Sequence, residues 1–125
     1  MASYAEEIPN NEIWYTSNDG QVINPHESDV FGANIVSNTY ENGRGIIKFD
    51  GNVTSVGDYA FACCGGLTSI RLPNTVTEIG YDAFEDCQFT SFIIPNSVKQ
   101  IRASAFNKNP ITVIMKPKTT MNTEK

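Results

Sequence analysis

Histidine occurs once in this 125-residue chain, at His26. It sits in a predicted loop, Asn24-Pro-His-Glu-Ser28, with no serine or cysteine at a recognisable catalytic motif, so a nucleophile–base pair has no second member. Only three cysteines are present, and Cys63 and Cys64 are adjacent. That excludes a disulfide framework. Neither Cys-x-x-Cys nor a histidine-containing ligand spacing supports a metal site. Apolar runs extend only a few residues, too short for a membrane-spanning helix. Positive charge is scarce: nine Lys and Arg face fourteen Asp and Glu, a net charge of -5. With no basic–aromatic stripe either, nucleic acid is not an expected partner. No glycine-rich phosphate loop occurs. Asp82, Glu85 and Asp86 cluster, but their spacing fits no EF-hand loop and reads as a solvated face. The chain is therefore expected to be no enzyme and to hold no cofactor and no metal.

What is present is a stretch written three times. It reads V-T-S-V-G-D-Y-A-F from Val53, V-T-E-I-G-Y-D-A-F from Val76, and V-K-Q-I-R-A-S-A-F from Val98. The steps are 23 and 22 residues, and Phe61, Phe84 and Phe106 keep them; Pro73, Pro95 and Pro117 lie 22 apart. A repeat of this length implies a solenoid, in which each unit buries its apolar face only against its neighbours.

Superimposing the units predicts inward columns. One holds Ile47, Ile70, Phe92 and Ile114; others hold Val53, Val76 and Val98, or Val56, Ile79 and Ile101. Ala60, Ala83 and Ala105 stand beside the three phenylalanines. Cys64, Cys87 and Asn109 share one position, where an inward Cys or Asn packs or satisfies loop backbone; free buried thiols are expected there. Segments such as Leu67–Leu72 read as strands ended by proline, which cannot donate to a ladder. Gly57 and Gly80 suggest a positive φ, which Arg102 would accept in the third unit at a strain of about 1 kcal/mol. Ala83–Cys87 reads as a helical or 3₁₀ turn.

Residues 10–45 do not follow the repeat. Glu12–Thr16 and Gln21–Ile23, joined through Asp19-Gly20, read as a β-hairpin, and Ala33–Ser37 as a further strand. Trp14, Tyr15, Phe31 and Tyr40 supply bulk to cover the raw end of the first unit. Residues 1–52 carry eight acids against Arg44 and Lys48, a solvated acidic region; the remainder carries six acids against seven bases.

The repeated motif resembles the BspA-like leucine-rich repeats of bacterial surface proteins. It stands as V53-T-S-V-G-D-Y-A-F-A-C-C-G-G-L-T-S-I-R-L-P-N-T-V76 and again as V76-T-E-I-G-Y-D-A-F-E-D-C-Q-F-T-S-F-I-I-P-N-S-V98. The resemblance covers roughly residues 46–117. It implies a right-handed solenoid with a parallel ladder, and adhesion or protein binding at a bacterial surface or after secretion. The third unit departs from the pattern in lacking the Gly and the Cys. Met1–Glu7 shows no basic region followed by an apolar stretch, hence no secretory signal, so a cytoplasmic or virion-associated location is the competing expectation.

The expected fold class is α/β: a short right-handed leucine-rich-repeat solenoid, β-rich, with an N-terminal β-hairpin cap. Residues 1–45 form the cap, 46–117 an array of about three units, and 118–125 a polar tail, all in one structural domain. Function is expected in letters that change between copies. Lys48, Arg71, Ile93 and Met115 should form one exposed column, and Ile46, Ser69, Ser91 and Val113 its neighbour. Ser69, Arg71, Ser91, Ile93, Val113 and Met115 are the expected partner-binding residues of a non-enzymatic protein-binding or adhesion module. The alternative is a structural assembly subunit of a larger cellular or viral particle, docking or self-associating through an uncapped C-terminal end. A carbohydrate-binding reading rests only on Trp14 and Tyr81 as exposed aromatics.

Overall fold

The computed structural model describes residues 7–116, which hold nine β-strands and no helix. The α component of the expected α/β class is therefore absent among the described residues. The strands are β1 (Glu12–Ser17), β2 (Ile35–Glu41), β3 (Arg44–Phe49), β4 (Ser55–Val56), β5 (Leu67–Arg71), β6 (Glu78–Ile79), β7 (Ser91–Ile93), β8 (Gln100–Ile101) and β9 (Val113–Met115). The segment expected to be helical, around Ala83–Cys87, is a run of tight turns instead. Ala83 N donates to Gly80 O and Glu85 N to Asp82 O. Two residues of each run take the left-handed region: Tyr59 and Cys63, Asp82 and Asp86, Ser104 and Lys108. A left-handed residue after each turn reverses the chain and prevents helix propagation.

The units stack by hydrogen bonds at the repeat spacing. Thr77 N donates to Thr54 O at 2.9 Å and Lys99 N to Thr77 O at 2.8 Å. The Thr75 hydroxyl donates to Val53 O at 2.7 Å, and the Ser97 hydroxyl to Val76 O at 2.6 Å. Strands β4, β6 and β8 pair in parallel, Val56 beside Ile79 and Gln100 beside Glu78, as do β7 and β9. Inside this stack the phenylalanines form a ladder. Phe61 and Phe84 lie 5.6 Å apart and Phe84 and Phe106 5.5 Å apart, both pairs stacked. Phe31, from outside the repeat, extends the ladder by meeting Phe61 edge-on at 5.7 Å. Its carbonyl accepts from Thr54 N, the role Thr54 O plays for Thr77 N one unit later.

The N-terminal strands are arranged differently from the expected hairpin. Gln21–Ile23 forms no strand, although Gly20 does turn with φ 70°. Strand β1 instead pairs antiparallel with both β3 and β5, giving the sheet order β2-β3-β1-β5. The hairpin is β2–β3, turned by Asn42 and Gly43 at φ 55° and 79°. Positive φ at both central residues matches the right-handed twist of the flanking strands. Because β1 lies between β3 and β5, two expected columns are broken: Ile47 faces Ile13, Ile70 faces Tyr15, and Lys48 faces Glu12 rather than Arg71. Apolar periodicity in β3 and β5 is the same whichever strand lies between them, so their spacing could not reveal β1.

Gly57 and Gly80 do not take positive φ, and neither does Arg102, so the expected strain does not arise. Close approach explains both glycines: a Cβ on Gly57 would lie 2.7 Å from Val30 Cβ, and one on Gly80 2.6 Å from Asp58 N.

The shared Cys/Asn position works as expected at Cys87 and Asn109, while the Cys64 thiol, expected to be buried, is only half-buried. The Cys87 thiol donates to Phe61 O at 3.2 Å, and Asn109 Nδ2 to Phe84 O at 2.7 Å. Cys63, Cys64 and Cys87 are all unbridged. Burial pushes the Cys64 thiol up to about 11 and the Cys87 thiol up to about 12, with neighbouring thiols and acids adding to the effect. A folded-state pKa above the ordinary thiol value means that the contribution to stability is complete below about pH 9 and is lost as pH rises from there. Native protein is expected to alkylate at the exposed Cys63 while Cys87 reacts only after denaturation. Mass spectrometry after iodoacetamide at pH 8 measures this, and rapid native labelling of Cys87 would contradict its burial.

Candidate interaction surface

The outward side of the strands divides into two patches. The first is built on β1. Trp14 lies between the inward Ile13 and Tyr15 and projects from the opposite side of the sheet, beside Ile46 and Arg71. It is nevertheless only 7% exposed. The Arg44 guanidinium covers its ring at 4.1 Å, Arg71 approaches at 5.5 Å, and the indole N–H donates to Glu12 Oε1 at 2.8 Å. Cation–π contacts hold such guanidinium groups over the indole face. Trp14 is thus no exposed stacking platform, which removes half of the carbohydrate-binding expectation. Tyr81 is 45% exposed, but Arg102 sits over it at 5.5 Å while donating to Glu78 at 2.8 Å.

Two of the six expected binding residues belong to this first patch. Ser69 shares a 2.6 Å hydroxyl hydrogen bond with Thr16, and Arg71 stands over Trp14. Both side chains are engaged with β1, a strand whose presence here the repeat pattern does not encode. Alternation along Glu12–Ser17 was the available signal for Trp14: it puts the indole opposite Ile13 and Tyr15.

The other four residues come together as expected. Parallel pairing of β7 and β9 places Ser91 beside Val113 and Ile93 beside Met115. Ile93, Val113 and Met115 are 43%, 45% and 44% exposed. Together they make an exposed apolar cluster on one face of this two-stranded sheet. Strand β7 lies beside β5, where Gln88 N donates to Leu67 O at 3.0 Å, but the two strands form no regular ladder.

The last unit adds residues that column counting names but does not single out. Val76, Ile79, Phe84 and Phe89 are fully buried in the middle unit. Their counterparts Val98, Phe106 and Ile111 are half-buried, and Ile101 is 40% exposed. Ile114, the counterpart of the buried Phe92, is 51% exposed. Exposure therefore follows from a unit's being the last among the described residues, not from residue type. Among the described residues no group of His, Cys, Asp and Glu could hold a metal ion, and no helix is long and apolar enough to cross a membrane. The expected tail, 118–125, lies outside the described residues, as does Pro117.

Stacked, hydrogen-bonded units with repeated Ala-Phe plugs and an inward Cys or Asn define a leucine-rich-repeat protein. A family model for the BspA-type leucine-rich repeat region matches residues 33–125 in six copies, and the chain belongs to that family. No curated protein and no solved structure matches the chain. The family is generally a non-enzymatic protein-interaction fold. Its match begins ahead of β2, so β2 and β3 fall within it while β1 lies before it.

Proposed function

We propose that the chain is a protein-binding module of the adhesion type, with its docking surface on the C-terminal half of the strand face. The observation that carries this reading is the register of β7 and β9, which gathers Ile93, Val113 and Met115 into one exposed apolar cluster beside Ser91. Ser69 and Arg71 form the adjoining edge, already ordered by Thr16 and Trp14. In this reading the units form a short right-handed solenoid, residues 46–117. The strands and loop of residues 1–45 cover its first unit, as Phe31 does against Phe61. Partner specificity then resides in the outward residues, since the repeated ones are spent on core and turns.

A second reading is favoured by the exposure of Ile101 and Ile114 at the end of the stack. There the chain is an assembly subunit, joined to a neighbour through its last unit rather than its face. The double variant Ile93→Glu/Met115→Glu separates the two. Both sites are exposed, so melting is expected to change by less than about 1 kcal/mol. Under the first reading the variant loses, at least about tenfold, the retention of a protein that immobilised wild type captures. Undiminished retention of that protein would end the face reading, whereas self-association in the ultracentrifuge is left to the second.

A further inference from the structure

Charge is segregated along the stack. Residues 7–43 contain six acids, Glu7, Glu12, Asp19, Glu27, Asp29 and Glu41, and no Lys or Arg. Residues 87–116 contain Lys99, Arg102, Lys108 and Lys116 and no acid. The two ends of the described stack also differ. At the N-terminal end, the loop through Val30 and Phe31 lies over the first unit: Val30 O accepts from Gly57 N, Phe31 O from Thr54 N, and Ala60 O receives His26 N. Glu27 and Asp29 are exposed on that loop. The corresponding stretch of the last unit, Val98–Ala105, has no following unit among the described residues, and Ile101 and Ile114 are open beside it.

The loop holding Glu27 and Asp29 and the turn holding Arg102 and Lys108 therefore occupy the same position around the stack, at opposite ends. The strand face gives the same correspondence. Strand β2 is the outer strand of the first sheet and exposes Val36 at 66%; β9 is the outer strand at the other end and exposes Val113, Ile114 and Met115. Strand β2 runs against β3 and β5 runs with it; β9 repeats β5 two units on, so a β2 brought against β9 would pair antiparallel.

We propose that the occupant of the open side of the last described unit is a second copy of this chain, added head to tail. Its acidic N-terminal loop lies over Arg102 and Lys108, and its β2 lies along β9. The interface is heterologous: each copy uses a different surface from its partner, so addition continues into a filament rather than closing as a dimer. End-to-end joining of two basic C-terminal units would instead place like charges together, which costs affinity. Continuation within the stack supports the same charge rule. The second unit, Val76–Ser97, carries Glu78, Asp82, Glu85 and Asp86 without a base, and Arg102 of the basic third unit pairs with its Glu78. This inference rests on the assembly reading above and supplies its partner and polarity.

The test is a charge exchange read by sedimentation velocity, with folding checked by thermal melts. Wild type at concentrations up to about 500 µM is expected to give a ladder of species that weakens at least about tenfold between about 50 mM and 500 mM salt. Glu27→Lys/Asp29→Lys and Lys99→Glu/Lys108→Glu change exposed residues and each should sediment as a monomer, because each carries like charges at both ends. Mixed in equal amounts they should restore the ladder, since every junction between unlike variants is again acid against base. A monomeric wild type throughout, or a mixture that stays monomeric, overturns the proposal. So does a dimer that Glu27→Lys/Asp29→Lys still forms alone, which would mean that C-terminal ends meet each other. A wild type that stays monomeric while docking another protein through its last unit would keep the assembly reading and remove the second copy.

Discussion

Phe84→Ala is expected to remove about 3–5 kcal/mol of stability, the range for deleting a buried aromatic ring whose cavity cannot collapse. Phe84 is fully buried and stacks on Phe61 and Phe106 at once. Phe89 meets it edge-on at 5.4 Å, and Phe92 lies tilted at 5.3 Å. The stacks on Phe61 and Phe106 join Phe84 to the units on either side, while Phe89 and Phe92 belong to its own unit, so the loss falls on both the unit's interior and its coupling to its neighbours. Stability in a repeat array is largely such coupling, and a total of about 5–15 kcal/mol leaves little margin. The companion Phe106→Ala removes the same ring at the half-buried end and is expected to cost about half as much. Urea denaturation of both variants measures the difference. Equal losses would mean that the last ring is as enclosed as the middle one.

The second large effect is expected at a residue with no side chain. A Cβ on Gly45 would collide with Cζ, Cε1 and Cε2 of the Tyr15 ring, which lies against the glycine on the neighbouring strand. That ring cannot step aside cheaply. Its hydroxyl donates to Asn38 Oδ1 at 2.7 Å and accepts from Ile23 N at 3.0 Å, and Tyr40 packs against it at 5.8 Å. Gly45→Ala is expected to cost about 2–3 kcal/mol, the upper part of the range for forcing atoms into a packed core. Tyr15→Leu in the same background should recover part of it by vacating the space. The check is again chemical denaturation, with near-ultraviolet circular dichroism following the tyrosine. A Gly45→Ala protein as stable as wild type would show that the ring does not rest on the glycine.

Much of the stack was legible because the repeat writes its contacts at a fixed interval. The three phenylalanines, the paired alanines and the Cys87/Asn109 position all sit one unit from their partners, so superimposing the copies predicts who meets whom. The glycines were legible as special but not for the right reason. A sequence shows that Gly57 and Gly80 have no side chain; it does not show whether φ or a neighbouring backbone demands that. The positive φ values fall instead on Tyr59, Cys63, Asp82, Asp86, Ser104 and Lys108, whose residue types share no common signal.

The candidate surface was half legible. Ser91, Ile93, Val113 and Met115 meet because β7 and β9 are one repeat apart. Lys48 and Arg71 are also one repeat apart, yet β1 separates their strands.

The sequence alone determined the family, the period of the stack, the inward columns of its later units and the drift in charge from acidic to basic along them. Those properties are local or periodic, and each unit repeats the same physical problem of burying valine, isoleucine and phenylalanine against a copy of itself. Only the tertiary structure decided that β1 enters between β3 and β5, that Trp14 lies under two arginines, and that Phe31 continues the ladder of rings. Those contacts join segments that share no period, and pairing of that kind is chosen by the shape and hydrogen bonds of the assembled sheet.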